Sequence, residues 1–178
     1  FKRILDLFFS LILIIILSPI FLIIALLIKT TSKGPVIFKQ FRYGINGKEF
    51  TILKFRTMLI NEKVKDFEVK QASFNDPRVT TLGSFLRKFS LDELPQLFNV
   101  FFGEMSLVGP RPHASQHNEY YRDKIPGYMQ RHSLKPGMTG LAQIYDLRGE
   151  TRDIKLMEDR VKADLKYINE WSIFLDLM

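Results

Sequence analysis

Two adjacent carboxylates, Asp92 and Glu93, are the side chains in this sequence best suited to carry out chemistry. Basic residues lie close to them along the chain, among them Arg78 and Arg87. A carboxylate that faces a basic site can attack phosphorus while its neighbour holds Mg²⁺, so the pair suits metal-assisted phosphoryl transfer. The alternative is structural, because acidic residues are favoured in the first turn of a helix, and Glu93 also matches a capping box with Ser90.

A loop with two prolines around an arginine is the second candidate feature. Pro110 and Pro112 flank Arg111 and would hold its guanidinium stiffly against a phosphate, since arginine binds phosphate through paired N–H donors. The same loop could be only a rigid connection. Two later loops supply further guanidinium groups, those of Arg131 and Arg148.

The elements that position these side chains follow from turn residues and periodicity. The pair Asn46-Gly47 between two β-rich runs predicts a β-hairpin over about residues 36–56, a basic ribbon that carries Lys39, Arg42, Lys54 and Arg56. The spacing of apolar residues over 94–101 predicts a helix with the two carboxylates at its N-terminus. Further elements are predicted as follows: an exposed helix or loop over 61–73, helices over 84–89, 113–123 and about 153–169, and an extended piece over 141–145.

An apolar segment dominates the N-terminus of the chain. It runs for 22 residues from Leu7 to Ile28, and only Ser10, Ser18 and Pro19 within it are not apolar. At about 1.5 Å per helical residue it is long enough to cross a hydrocarbon core of about 30 Å. The plain interpretation is therefore a single membrane span.

Two details of this segment favour a helix that returns to the side from which it started. Pro19 lies at its midpoint and interrupts helical hydrogen bonding, although the hydroxyl of Ser18 could satisfy the freed backbone groups. Both flanks are basic, with Lys2 and Arg3 before the segment and Lys29 after it, whereas the positive-inside rule expects an asymmetry. The residues alone leave the kinked span and the re-entrant hairpin both open.

Composition limits the class of protein. With 178 residues, no Cys and 46% hydrophobic residues, the chain is long enough for one domain, lacks disulfides and thiolate chemistry, and is too apolar to be disordered. We expect a membrane segment over residues 1–33 and a globular domain over 34–178. The net charge of +7 allows three partners, namely nucleic acid, an anionic membrane surface or a phosphorylated substrate. Nucleic acid is disfavoured because basic and acidic residues alternate and no reader motif is present.

Six short motifs carry a resemblance to a known family. In chain order they are GPVIFKQ at 34–40, KFRTM at 54–58, DPRVT at 76–80, SLDELPQ at 90–96, VGPRP at 108–112 and KPGMTG at 135–140. A Lys-Arg-x-x-Asp sequence precedes them at the start of the apolar helix. The chain resembles the bacterial sugar transferase family, the monotopic phosphoglycosyl transferases, over essentially its whole length.

The resemblance implies a fold, a reaction and a location. The fold is α+β and mostly helical, with a re-entrant membrane helix broken at Ser-Pro, a small β-hairpin, and amphipathic or interfacial helices around a cytosolic catalytic site. The reaction moves hexose-1-phosphate from a UDP-sugar to polyprenyl (undecaprenyl) phosphate and releases UMP. It is the first membrane step of exopolysaccharide, capsule or O-antigen synthesis, at the cytosolic face of the bacterial inner membrane.

The resemblance also implies roles for particular residues. Asp92 would be the nucleophile that forms a phosphosugar-aspartyl intermediate, and Glu93 would assist Mg²⁺, with Asp92 as a second metal contact. The segment Pro110–Pro112 would lie at the nucleotide site. The residues expected to bind substrate are Lys54, Arg56, Arg78, Arg87, Pro110, Arg111, Pro112, Arg131 and Arg148.

Segments after residue 112 are similar to the long-form branch of the family, which transfers hexose-1-phosphate, with glucose or galactose favoured. Proteins of that branch carry further N-terminal spans and a soluble domain, so we expect this chain to be the C-terminal catalytic part of a longer protein, and a homodimer is possible. One departure is Tyr145-Asp146, where the branch usually has Asn-Gly; it bears on the sugar more than on the reaction. The alternative function is a catalytically silent, membrane-anchored module that binds lipid phosphate or nucleic acid.

Overall fold

The computed structural model of the chain describes residues 1–59, 76–147, 149 and 153–177. Helices dominate this part of the chain and two small two-stranded sheets accompany them, so the predicted α+β, mostly helical class is confirmed. The element predicted over 61–73 lies outside the described residues.

The elements follow one another along the chain as helices with short strands between them. The helices are α1 (Lys2–Thr31), α2 (Thr81–Lys88), α3 (Gln96–Phe102), α4 (Ser115–Tyr121), α5 (Leu141–Ile144), α6 (Ile154–Glu170) and α7 (Ile173–Leu177). The strands are β1 (Ile37–Tyr43), β2 (Glu49–Phe55), β3 (Ser106–Val108) and β4 (Gly137–Thr139). Short 3₁₀ turns occupy Ile45–Gly47, Leu91–Glu93 and Tyr128–Ser133.

Helix α1 contains Pro19 and remains a continuous helix of 30 residues. Proline has no N–H to donate to the carbonyl four residues earlier, which here belongs to Ile15. The hydroxyl of Ser18 donates to that carbonyl at 2.8 Å. The expectation that Ser18 satisfies the freed backbone acceptor is therefore confirmed.

Both halves of α1 pack on the short helix α3. Near its start, the Arg3 guanidinium donates to the carbonyls of Val100 and Phe101 at 2.5 and 2.7 Å. In the second half, the Phe21 and Phe98 rings pack with their centroids 5.7 Å apart. A straight helix would separate residues 3 and 21 by about 27 Å, whereas α3 is only about 10 Å long. The contacts therefore favour a bend in the middle of α1.

Polar contacts hold both ends of α1 on the rest of the protein. Near the start, the buried Asp6 carboxylate accepts from the Ser106 hydroxyl and from the Leu107 N–H, each at 3.0 Å. At the end, the Arg56 guanidinium donates to the carbonyl and the hydroxyl of Ser32, each at 2.8 Å. A cation at this position also suits the negative end of the helix dipole.

The predicted hairpin is confirmed. Strands β1 and β2 pair in antiparallel fashion from Ile37–Phe55 to Tyr43–Glu49. Asn46 and Gly47 in the connection both adopt left-handed φ angles, 54° and 70°, which is what an Asn-Gly hairpin signal demands. Phe50 and Ile52 of β2 then pack on Val100 of α3, so the hairpin lies directly against the helix that follows the two carboxylates.

Three of the other predicted helices are confirmed and one local prediction is wrong. Helices α2, α4 and α6 lie at the positions where helices were predicted, over 84–89, 113–123 and about 153–169. Residues 141–145, predicted as extended, instead begin with helix α5, because Leu141 and Ala142 are buried in a helical turn that packs beside α6. Short apolar runs do not distinguish helix from strand by periodicity alone.

Candidate active site

The two carboxylates lie in the 3₁₀ turn Leu91–Glu93 that leads into α3. The predicted capping box is wrong: Ser90 adopts a left-handed conformation, with φ 56°, and its side chain makes no capping hydrogen bond. Glu93 points instead to two cations, whose charge-assisted bonds are stronger than a cap. A left-handed non-glycine residue costs about 1–3 kcal/mol and is typical of functional sites.

Glu93 is held by a lysine from the hairpin and an arginine from the proline-flanked loop. Lys54 donates from Nζ to Oε1 at 2.7 Å. Arg111 donates from Nη1 to Oε2 at 3.1 Å and from Nη2 to Oε1, so its contact is two-pronged. Burial alone would raise the pKa of Glu93, but Lys54 and Arg111 hold it at about 2. Glu93 is therefore a fixed negative charge at neutral pH.

Asp92 lies in a different environment. Its residue is only 9% exposed, and among the described residues no side chain forms an ion pair or hydrogen bond with its carboxylate, whose backbone donor is the N–H of Asp92 itself. Burial raises the pKa of Asp92, and Glu93 adds to the rise, while Lys54 and Arg87 oppose it. Two neighbouring carboxylates whose environments separate their pKa values have different chemical roles. Here Asp92 is the unengaged carboxylate and Glu93 the anchored one.

Helix α2 brings Arg87 to the dyad. Thr80 caps the helix by accepting from the Gly83 N–H at 2.9 Å. A Cβ on Gly83 would overlap the carbonyl of Thr57, so glycine permits the close packing of α2 on that strand end. From there Arg87 Nε donates to Thr57 Oγ1 at 2.8 Å, and its charge acts on Asp92.

The loop that carries Arg111 is anchored through its backbone. The Gly109 N–H donates to the Thr139 carbonyl, and the Gly137 N–H donates to the Pro110 carbonyl, each at 2.9 Å. A Cβ on Gly137 would overlap the backbone of Gly109, which explains the need for glycine there. The 135–140 motif is thus the support of the loop. A shallow surface cleft opens beside it, with walls that include Pro110, Arg111 and Pro112.

Not all the predicted substrate-binding residues converge on the dyad. Arg131 forms an ion pair with Asp164 of α6 in which both side chains are only 2% exposed, and it also donates to the Arg111 carbonyl at 2.6 Å. Arg56 is bound to the end of α1, and Arg78 makes a two-pronged ion pair with Asp76. Arg148 lies outside the described residues.

Sequence reasoning assigned no role in the site to two charged residues of this region. Arg42 of β1 lies close to the dyad: burial lowers its pKa to about 10, Arg111 adds to that effect, and Glu93 opposes it. Strand alternation, applied to the hairpin register, would have found Arg42, because it shares a face with Lys54. Asp164 had no such signal, since α6 carries acidic and basic residues along much of its length.

The donor set of the dyad fits Mg²⁺ bound together with a phosphate. Within the described part of the chain no three His, Asp or Glu side chains form a cluster able to hold a metal. Mg²⁺ often takes one or two carboxylates and completes its shell with water and substrate phosphates. Glu93, which is ionised, and the adjacent Asp92 would supply those carboxylates, although the ion would share Glu93 with Lys54 and Arg111.

The departure at Tyr145-Asp146 is accommodated by the backbone. Asp146 has a φ of 56°, a conformation that glycine adopts freely. Aspartate and asparagine are among the few other residues that tolerate it. The backbone at Asp146 therefore has a conformation that glycine could also adopt.

We expect the protein to lose stability between about pH 6.5 and pH 4 because of His132. The residue is 7% exposed, and burial together with Arg131 lowers its pKa to about 4. In this range the unfolded chain binds a proton that the folded one does not, so stability falls as the pH falls, by up to about 3 kcal/mol. Thermal unfolding of the wild type and of His132→Gln from pH 7 to 4 measures the effect. Equal pH dependence in the two proteins would contradict it.

Comparison with known proteins finds relatives of the whole chain. The family model described as bacterial sugar transferase matches residues 1–178. The chain is 59% identical over 177 residues to the UDP-glucose:undecaprenyl-phosphate glucose-1-phosphate transferase of Klebsiella pneumoniae, and 53% identical over 176 residues to that of Escherichia coli (strain K12). Each alignment covers 99% of this chain and 38% of the relative, so the chain spans about two fifths of their length.

A shorter relative is covered almost completely. The exopolysaccharide production protein PSS of Rhizobium leguminosarum bv. phaseoli is 45% identical over 179 residues, which are 99% of this chain and 89% of the relative. The apolar helix α1, the dyad and the anchored arginine loop all lie within the region that these proteins share. The chain belongs to the bacterial sugar transferase family.

Proposed function

We propose that this chain is the catalytic part of an enzyme that moves hexose-1-phosphate from a UDP-sugar to undecaprenyl phosphate and releases UMP. The observation that carries the proposal is the difference between the two adjacent carboxylates. Asp92 forms no ion pair with a described side chain, whereas Glu93 is anchored by Lys54 and Arg111. The printed names of the Klebsiella and Escherichia relatives, with UDP-glucose and undecaprenyl phosphate in them, support this pair of substrates.

Asp92 acts as the nucleophile in the proposed first step. A carboxylate oxygen of Asp92 bonds to the phosphorus that carries the sugar, and the bond from that phosphorus to UMP breaks. Burial favours this role, because a carboxylate with a raised pKa is the stronger nucleophile. In the second step a phosphate oxygen of undecaprenyl phosphate attacks the same phosphorus, and the Asp92 carboxylate is restored.

The cations of the site neutralise the charge that moves in these steps. Lys54 and Arg111 are already fixed on Glu93, and Arg87 acts on Asp92, so all three are positioned before substrate binds. Preorganised charge of this kind contributes most of the catalysis in phosphoryl transfer. Mg²⁺ held by Asp92 and Glu93 would neutralise the diphosphate further.

The test is UMP release by the membrane-reconstituted chain from a panel of UDP-sugars, with undecaprenyl phosphate and Mg²⁺. We expect UDP-glucose to be a donor and release to require the lipid phosphate. No UMP from any donor, with intact binding of the lipid phosphate, would contradict the proposal and favour the silent binding module. Salt-dependent affinity for DNA or RNA without UMP release would favour a nucleic-acid binder.

We also propose that α1 enters and leaves the membrane on the cytosolic side. Of the described helices it is the one long and apolar enough to cross a bilayer. Its polar contacts at both ends, through Asp6 and Arg56, and the packing of both its halves on α3 support a helix that returns to the catalytic domain. The name of the Rhizobium relative supports a place in surface polysaccharide synthesis at this membrane.

The topology is open to a labelling test, because the chain has no Cys. Phe1→Cys and Lys33→Cys place thiols at the two ends of α1, where both residues are exposed. In intact cells we expect neither thiol to react with a membrane-impermeant maleimide, and in inverted vesicles we expect both to react. Reaction of the Phe1→Cys thiol from outside the cell would refute the re-entrant arrangement.

A further inference from the structure

Arg42 faces the same side of the hairpin as Lys54. Residues directly opposite in an antiparallel pair point to one face, and side chains alternate along each strand. The register pairs Phe38 with Lys54, so Phe38, Gln40 and Arg42 share the face from which Lys54 reaches Glu93. Arg42 is therefore directed to the side of the hairpin on which the dyad lies.

A second contact brings the same residue to the proline-flanked loop. The backbone of Arg42 pairs in antiparallel fashion with Ala114, two residues beyond Pro112. Arg111 and Glu93 both act on the charge of Arg42, which agrees with this position. Arg42 thus lies beside the loop that supplies Arg111.

The guanidinium of Arg42 is not fully satisfied. Its Nη2 donates to Oε1 of Gln40, while its Nε is buried without a hydrogen-bond partner among the described residues. A buried donor that stays unpaired costs about 1–3 kcal/mol, more when it is charged. Together with Lys54, Arg87 and Arg111, Arg42 gives the dyad region an excess of two positive charges. Such an excess suits a diphosphate that enters the site.

We infer that Arg42 binds the phosphate of UMP, the leaving group, an inference that rests on the proposed function. The phosphorus that carries the sugar must lie within bonding distance of Asp92. The uridine-side phosphorus is joined to it through the bridging oxygen, two bonds away, and Arg111 and Arg42 are the cations that we place beside it. When the Asp92 oxygen bonds to phosphorus, the electron pair of the broken bond remains on the bridging oxygen. That oxygen becomes a terminal oxygen of UMP, and Arg42 stabilises its new charge.

Equilibrium binding of UMP to the reconstituted protein tests the inference. Arg42→Gln should weaken UMP binding about 10- to 100-fold, the usual effect of losing a charge-assisted hydrogen bond. Arg42→Lys should weaken it less, because it keeps the charge and loses the paired donors. Lys39→Gln is the matched control: it removes one positive charge from an exposed position of the same strand, on the opposite face. It should leave UMP binding within about twofold of the wild type.

The two half-reactions separate a contact with UMP from a structural role. Arg42→Gln should slow formation of the phosphosugar-enzyme adduct and leave its discharge to undecaprenyl phosphate unchanged, because UMP has already departed. Equal slowing of both half-reactions, or unchanged UMP binding in an otherwise active protein, would overturn the inference about Arg42 and leave the proposed function standing. A wild-type protein that neither binds UMP nor releases it would overturn the proposed function as well. If Arg42→Gln does not fold, Arg42→Lys is tested in its place. Its effect should be smaller, but it should again be confined to UMP binding and to adduct formation.

Discussion

Asp92→Asn should abolish UMP release from a UDP-sugar, with a loss of roughly 10⁴-fold or more, as for other enzymes that lose their nucleophile. The amide has nearly the same shape as the carboxylate but cannot attack phosphorus. Since no described side chain is hydrogen-bonded to this carboxylate, and an amide oxygen can still accept from the Asp92 N–H, the substitution should leave the fold intact. Intact-protein mass spectrometry, with UDP-sugar and without the lipid phosphate, should show the phosphosugar adduct on the wild type and none on the variant.

The control for this experiment is binding of UMP. Lys54 and Arg111 are anchored by Glu93 and not by Asp92, so they should keep their positions in the Asp92→Asn protein. We expect UMP affinity close to that of the wild type. Full turnover by the variant would refute the assignment of the nucleophile, and loss of both binding and turnover would assign Asp92 a structural role instead.

Asp164→Asn should destabilise the protein by about 3–5 kcal/mol, the usual effect of removing one partner of a buried ion pair. Asp164 and Arg131 are each only 2% exposed at the side chain, so the substitution leaves a guanidinium buried without its counter-ion. Because Arg131 also donates to the Arg111 carbonyl at 2.6 Å, the loop that anchors Glu93 should loosen as well. Thermal or denaturant unfolding measures the first effect, and kcat for UMP release the second.

An exposed ion pair on the same helix supplies the matched control. Asp159 and Lys162 of α6 are 3.5 Å apart, with side chains 39% and 72% exposed. Asp159→Asn should therefore change stability by at most about 0.5 kcal/mol. The double variant Asp164→Asn with Arg131→Met should recover part of the loss, because it removes the uncompensated charge. A loss in Asp164→Asn no larger than in Asp159→Asn would contradict the structural role of the pair.

Elements whose signal is local were predictable from the sequence. The Asn46-Gly47 turn requires two left-handed residues, and only a few residue types supply them, so the hairpin followed from its loop. Helix α6 followed from the helical spacing of its apolar residues, of which Met157 and Val161 are buried. The bond from Ser18 to the Ile15 carbonyl followed from the missing N–H of Pro19, which is covalent chemistry within a single turn.

Local rules failed where distant residues compete for the same group. The spacing of Ser90 and Glu93 predicted a capping box, but Lys54 and Arg111 come from segments 39 residues before and 18 residues after Glu93 and take its carboxylate. The short piece over 141–145 was ambiguous for a related reason, since burial beside α6 decided that it begins as a helix. In both cases tertiary contacts outweighed a local preference.

The sequence by itself determined the residue types of the site and their order along the chain: a carboxylate pair, cations from the hairpin and loops, and an apolar helix with basic flanks. Only the tertiary structure decided which charge meets which. It assigned Glu93 to Lys54 and Arg111, buried Arg131 with Asp164 behind the loop, and brought Arg42 of the hairpin to the dyad. The reason is that the pKa and hydrogen bonding of a side chain depend on burial and on charges a few ångströms away, and those distances exist only in the folded chain.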